Sequence, residues 1–490
     1  NYAIASKEDK TAMFLDYSEL LNALDSGASA KITIYNRRIN KAEFEKSVLL
    51  PDKADGLDEY RHEFNKMLTA QVTGTSNSIV RERYLTVSVV KRNADEARSY
   101  FARVGTDLVT HLAQLSSVAT ELTLTERLHI FRDFFKAGEQ AAAEFNIHEH
   151  ARRGQHFKDW FCPDSMEFAA DHFKLDARYG RVLYLQDYAS YIKDSFVSEL
   201  CDLDRDLMLS IDILPVPTDE AARQLQSTLL GVETNVANWQ RRQNANNNFT
   251  ATIPYDMELQ RKETKEMLDD LTTRDQRMMF GLVTLVHLAD SKEQLDSDTE
   301  TLYSTARKHL CQLSTLRWQQ KDGLDTVLPY GLRKIQALRT LTTESTAVLI
   351  PFRAQEIMQP NGLYYGQNAV SKNMIVADRR LLLNGNSFRL GVSGSGKSMS
   401  AKEEIVQIAL STEDDILILD PESEFGYLTE ALGGEVIRIS ATSDTHINAL
   451  DMDRAYGDER NPIVSKSEFV LSLFEQLIGD GMVTAKEKSI

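Results

Sequence analysis

Apolar positions in this chain recur at two spacings, and the change from one to the other predicts a succession of helices and strands. Residues 10–24 place Met13, Phe14, Tyr17, Leu20, Leu21 and Leu24 at helical spacing, Gly27 stops the run, and Lys31, Ile32, Thr33, Ile34 and Tyr35 alternate as a strand. Residues 84–90 are rich in β-formers, and Asn93 is placed to cap a long helix through Phe101, Val104, Leu108, Leu112 and Leu115. Thr123 and Glu126 have capping-box spacing ahead of Leu128, Phe131, Phe134 and Phe135.

The middle of the chain repeats this style. Strands are predicted over 181–185, 207–214 and 278–288, and helices over 218–240, 256–271 and 292–310, with a loop at the Asn-rich run 244–248. Such alternation without Gly-rich turns predicts an α+β or split βαβ domain over 1–350, as two related halves of about 1–165 and 166–350. Pro351 and Pro360 bracket a polar connection, where we place the boundary to a second domain, 351–490. There the apolar runs 388–392, 416–419 and 435–439 read as strands. Met399, Ala401, Ile405, Val406, Ile408, Ala409 and Leu410 form a helical stripe between the first two, which predicts a parallel sheet with ligands at the strands' carboxyl ends. Ser465 and Glu468 are spaced to cap a helix through Phe469, Val470, Leu473, Phe474 and Leu477, ended by Gly479. Thr484 and Glu487 announce another, so the domain is expected to continue past Ile490, as residues are expected to precede Asn1.

Composition narrows the function. At 490 residues, 42% hydrophobic and 26% charged, the chain is an ordinary multi-domain globular protein. Its net charge of −17 disfavours bulk nucleic-acid binding and confines any DNA contact to a local patch. Cys162, Cys201 and Cys311 are few and far apart, which fits a reducing, cytosolic setting rather than a disulfide framework. The longest apolar run, 278–289, includes Thr284 and His287 and falls short of the roughly 18 residues of a membrane span, so membrane association would come through a partner.

One stretch carries explicit chemistry. Gly391, Val392, Ser393, Gly394, Ser395, Gly396, Lys397 and Ser398 fit the phosphate-binding pattern G-x-x-x-x-G-K-[ST] at every fixed position. The glycines let backbone N–H groups converge on phosphate oxygens, Lys397 neutralises the β- and γ-phosphates, the Ser398 hydroxyl reaches Mg2+, and the helix that follows, with Met399 in its first turn, adds a positive dipole end. ATP with Mg2+ is the expected ligand, with Lys397 and Ser398 as the catalytic pair. One residue does not fit: Arg389 is a charge where a central strand should be apolar.

Asp420 closes the apolar run 416–419 and precedes Pro421, Glu422, Ser423 and Glu424. It reads either as a site acid beside the magnesium or as the cap of a helix starting at Pro421, and the two roles are compatible. Two other clusters are weaker. His148, His150, His156 and Cys162 match no standard metal-ligand spacing, and Arg241 and Arg242 read better as a solvated helix end than as a phosphate contact.

Taken together, Asn384 to Phe388, the phosphate loop 391–398, the segment Asp420 to Phe425, Leu432-Gly433-Gly434 and Ile447 to Asp451 resemble the conjugative type IV secretion ATPases, meaning the VirB-type fourth component and its TraC/TraE-like relatives of Gram-positive conjugative elements. The resemblance is specific from about Gly362 onward and lies in layout alone before it. It implies a RecA-like P-loop ATPase domain behind a mixed α+β domain. It further implies a cytoplasmic location at the inner face of the membrane, a hexamer, partnership with other secretion components including inner-membrane proteins, and ATP hydrolysis that energises channel assembly and DNA or protein transfer. Its acidic motif falls on Asp420 and Glu424. Ala449 departs from a common proline, and an apolar strand ending Asp-Glu is expected beyond Ile490, so turnover is expected of the intact protein. An ATP-binding scaffold without turnover and a DNA-pumping translocase are the alternatives.

Overall fold

In the computed structural model, strand β1 (Ala28–Arg38) shows how the first part of the chain is built. The structure describes every residue except 1, 39–47, 75–78, 137–148, 150, 151, 155, 190, 204, 247–251, 360, 441, 452–461, 480–483, 485 and 487–490. Along β1 the even positions Ala30, Ile32 and Ile34 enter one apolar cluster, while Tyr35 enters another on the opposite face. Both faces are buried because β1 lies between β2 (Ile79–Val89) and β6 (Leu207–Pro215), inside a nine-stranded sheet. The order is β2-β1-β6-β7-β5-β4-β3, with β7 at Met278–Ala289, β5 at Arg178–Asp187, β4 at Phe173–Leu175 and β3 at Met166–Phe168. Beyond this path β8 (Gln312–Thr315) pairs with β5 and β9 (Arg339–Thr342) with β7.

Every ladder of this sheet is antiparallel. The α+β reading of the first part therefore stands, but not as split βαβ units: β1 and β2 are antiparallel neighbours, so the Asp58–Gly74 helix between them is no parallel crossover. The same sheet carries strands from both sides of residue 165.

Helices cover both faces. Tyr17, Leu20 and Leu21 of the Lys7–Asn22 helix, Phe196 and Val197, and Leu302 and Ala306 of the Lys292–Lys308 helix pack against Leu209, Ile211, Val283 and Leu285. On the other face, Ile130 and Phe134 of the Leu124–Phe135 helix and Leu324 and Val327 of the Gln320–Val327 helix pack on Met208, Leu282 and Val286. The predicted caps form: Asn93 accepts the Glu96 N–H, and Thr123 and Glu126 make a reciprocal capping box. The helices Thr218–Ala245 and Tyr255–Thr273 pair with each other between β6 and β7, rooted on Val216, Ala221, Leu225 and Met278.

A buried charge fastens the second layer. The Lys31 ammonium donates to the carbonyls of Thr326, Leu328, Tyr330 and Leu332, and lies 3.6 Å from the carboxylate of Asp212, its register partner on β6. Desolvation is the larger influence on both groups: it lowers the Lys31 pKa and pushes the Asp212 carboxyl up to about 6.

Residues 349–353, where the connection bracketed by Pro351 and Pro360 begins, are held by the first sheet's core. Leu349 and Ile350 are buried, Phe352 meets Tyr2 and Tyr17 edge-on at 6.2 and 5.5 Å, and Arg83 Nε donates to the Pro351 carbonyl at 2.7 Å. The hairpin of β10 (Leu363–Gln367) and β11 (Met374–Ala377) packs Met374 and Val376 on Leu68 of the Asp58–Gly74 helix. The chain divides into two compact units at Asn1–Ser387 and Phe388–Ile490.

The second unit holds the helices Lys397–Ser411, Gly426–Ala431 and Pro462–Ile478. Its expected parallel sheet is not formed: among the described residues none of 388–392, 416–419 or 435–439 is paired as a strand. A strand exists only through a neighbour's N–H and C=O groups, and these runs have no such ladder. Their apolar side chains face solvent instead, with Leu390 90% exposed and Leu417 and Leu419 each 89%. Ser465 is not a cap either, because the helix already starts at Pro462, whose fixed φ suits a first turn. Gly479 ends that helix as expected, at φ 116°, its N–H on the Glu475 carbonyl.

Candidate nucleotide site

The phosphate-binding pattern folds as a tight turn running into a helix. Gly394 and Gly396 have φ of 79° and 88°, a left-handed backbone that side chains resist, and Gly396 is the residue on which the helix begins. Gly391 is needed for a different reason. A Cβ there would stand 2.4 Å from Ser395 Oγ and 3.2 Å from Lys397 Cγ, so any larger residue would make the Ser395 side chain move. The Ser395 N–H closes the turn on the Val392 carbonyl at 3.2 Å, and the first intrahelical bond runs from Ser400 N–H to Gly396 C=O. The N–H groups of Lys397, Ser398 and Met399 therefore precede the helical ladder, at the end where the dipole is positive. Ser393 lies on the same exposed turn.

Lys397 and Ser398 are exposed, and among the described residues no carboxylate pairs with Lys397. Three features fit a triphosphate with Mg2+: a tight turn with two glycines in the left-handed region, a lysine without an ion pair among the described residues, and a hydroxyl on the first helical turn. The cradle is thus built by residues 391–399 themselves.

The acidic motif stands differently. Asp420 accepts the Phe425 N–H at 2.8 Å, and that bond, together with the N–H groups of Glu424, Glu422 and Ser423, holds its carboxyl below the usual carboxylate range. Asp420 thereby closes a turn over 420–425. The helix that follows starts only at Gly426, which corrects the expectation of a helix opening on Pro421. Pro421 lies in the turn because the Asp420 carboxylate captures amides beyond it. The turn reaches the phosphate-loop helix through Lys402, whose ammonium lies 5.3 Å from the Phe425 ring centroid. Glu424 is exposed, and no described contact joins it or Asp420 to Lys397 or Ser398.

Arg389 has a partner that the sequence pattern did not disclose. Its guanidinium forms an ion pair with Glu404, a buried carboxylate on the phosphate-loop helix. Half of the signal was present: Arg389 interrupts the apolar alternation 388–392, whereas Glu404 follows Lys402 and Glu403 and stands out from nothing. Lys402 and Phe425 were likewise missed, since a cation–π pair across a turn has no periodicity.

The weaker clusters carry no site. His148 and His150 lie outside the described residues, His156 stacks on Phe157, burial raises the pKa of the Cys162 thiol, and no group of three metal-binding side chains occurs among the described residues. Arg241 and Arg242 are exposed near a helix end. A cavity of about 260 Å³ beside Arg178 and Arg205 in the first unit has its charges matched by Asp206 and Asp298. No helix of the described residues is long and apolar enough to cross a membrane. Set against known proteins, the chain matches no protein-family model and no curated protein.

Proposed function

We propose that this chain carries the nucleotide-binding half of an ATP-driven motor of the type IV secretion and conjugation class. The observation that supports it is the cradle at 391–399, with two left-handed glycines, a third packed closely against Ser395 and Lys397, and Lys397 and Ser398 at the start of a helix. In this reading Lys397 lies along the β- and γ-phosphates and Ser398 contributes its hydroxyl to Mg2+. The loop N–H groups donate to the phosphoryl oxygens and stabilise the charge that builds on the transferring group. A RecA-like parallel sheet is part of the proposal: runs 388–392, 416–419 and 435–439 gain their ladder in the assembled protein, where a hexamer works at the inner face of the membrane with other secretion components. Lys397→Ala should lower affinity for Mg-ATP at least tenfold by titration calorimetry on the full chain, and equal affinity would refute the reading.

One observation favours a second reading, in which ATP binding organises an assembly without turnover. Among the described residues no carboxylate contact reaches Lys397 or Ser398, and the Asp420 carboxylate accepts the Phe425 N–H of its own turn. Single-turnover hydrolysis by the nucleotide-bound protein separates the two.

A further inference from the structure

Arg389 is two residues before Gly391, and Glu404 is two helical turns beyond Lys397, so the whole phosphate loop lies between them in the chain. The loop itself joins the incoming segment to the helix at Lys397, and the meeting of the Arg389 guanidinium with the Glu404 carboxylate joins them a second time. Covalent continuity alone would leave the incoming segment free to swing about the loop, whereas the added ion pair sets its direction along the helix, and with it the geometry of the five residues between Gly391 and Lys397. Apolar burial does not supply this restraint, because Phe388, Leu390 and Val392 are 91, 90 and 79% exposed. Glu404 and Gln407 are instead among the most buried residues of the helix. The Glu404 side chain is 8% exposed, and a carboxylate so far out of water needs its positive partner.

We infer that Arg389 and Glu404 form a positioning pair that holds the phosphate loop in its binding shape. This rests on the nucleotide-binding reading of residues 391–399. Neither side chain touches the phosphates; they act through the backbone, and a loop that populates its binding shape less often loses affinity in proportion.

The test uses the full chain in four forms: wild type, Arg389→Leu, the charge-swapped Arg389→Glu/Glu404→Arg, and Lys397→Ala. Hydrogen exchange of amides 391–400 is measured without nucleotide, and Mg-ATP affinity by calorimetry. Arg389→Leu should speed exchange across the loop and weaken Mg-ATP binding about tenfold, with the charge swap recovering both. Lys397→Ala should weaken binding while loop exchange stays at the wild-type rate, which separates positioning from contact. Unchanged exchange in Arg389→Leu, or a swapped variant as impaired as the single one, overturns the inference. Wild-type protein that binds no Mg-ATP, while exchange still responds to Arg389→Leu and recovers in the swap, overturns the nucleotide reading and leaves the fastening in place.

Discussion

The two units solve the burial of apolar runs in opposite ways. In Asn1–Ser387 the central strands β1, β6 and β7 lie between antiparallel neighbours with apolar clusters on both faces, and Ile211, Val283 and Leu285 are at most 1% exposed. In Phe388–Ile490 runs of the same apolar character have no ladder among the described residues, and Leu417 is 89% exposed. Strand-like sequence is thus necessary but not sufficient: pairing partners decide whether it is buried, and the phosphate loop forms without them. A loop whose shape is set by glycine backbone and one ion pair depends less on a core than a sheet does.

The sharpest break of this contrast lies at Lys31, where the first unit's order rests on a charge rather than on grease. Lys31→Met leaves Asp212 buried without its nearest cation and leaves the carbonyls of residues 326–332 without their donor. The expected cost is about 3–5 kcal/mol at pH 7.5. It is measurable by urea unfolding followed through Trp160, Trp239 and Trp318, all of which lie in the first unit. The pH dependence has a definite sign. Burial pushes the folded pKa of Asp212 up to about 6, above the ordinary carboxylate value near 3.8, so its contribution favours the fold below about pH 4 and is lost as pH rises through 6. Removing Lys31 raises that pKa further, so the deficit of the variant should shrink between pH 7.5 and 4.5. A deficit that stays constant or grows would show that Asp212 is not the group left exposed to the loss.

Replacing Leu285 by Ala tests the other half of the contrast. Leu285 is fully buried on β7, between β5 and β6, and the truncation should cost about 3 kcal/mol in the same tryptophan-detected transition, from lost transfer energy plus a cavity. A loss under about 1 kcal/mol would mean that the first layer yields as easily as an exposed surface.

Much of the first unit was legible because its elements are set locally. The caps at Asn93 and Thr123, the two-residue period of β1 and the helices bracketing β7 are all written within a dozen residues. Strand direction was not, since β1 finds β6 across more than 160 intervening residues and nothing in either run says which way its neighbour points. The candidate site divides along the same line. Gly391, Gly394, Gly396, Lys397 and Ser398 were legible because their spacing is the mechanism. The Arg389–Glu404 pair was visible only as an anomaly at Arg389, and Asp420 was ambiguous because capping a helix and closing a turn draw on the same side-chain chemistry.

The smallest effect is the most telling for the second unit. Leu417→Ser places a hydroxyl where an apolar side chain already meets water, so the unit as it stands should lose no more than about 0.5 kcal/mol. Since no tryptophan reports on this unit, the measurement is pulse proteolysis in urea, read on fragments from 388–490. The same substitution in a sheet buried on both faces would cost several times more, because a serine hydroxyl there loses water without gaining a partner. Repeating the experiment with saturating Mg-ATP, or at concentrations where the chain self-associates, asks whether run 416–419 acquires neighbours. A penalty that climbs to about 2 kcal/mol or more under either condition would place Leu417 in a ladder formed on binding or assembly. A penalty that remains small under both would leave this run a surface, and the RecA-like sheet would have to be given up.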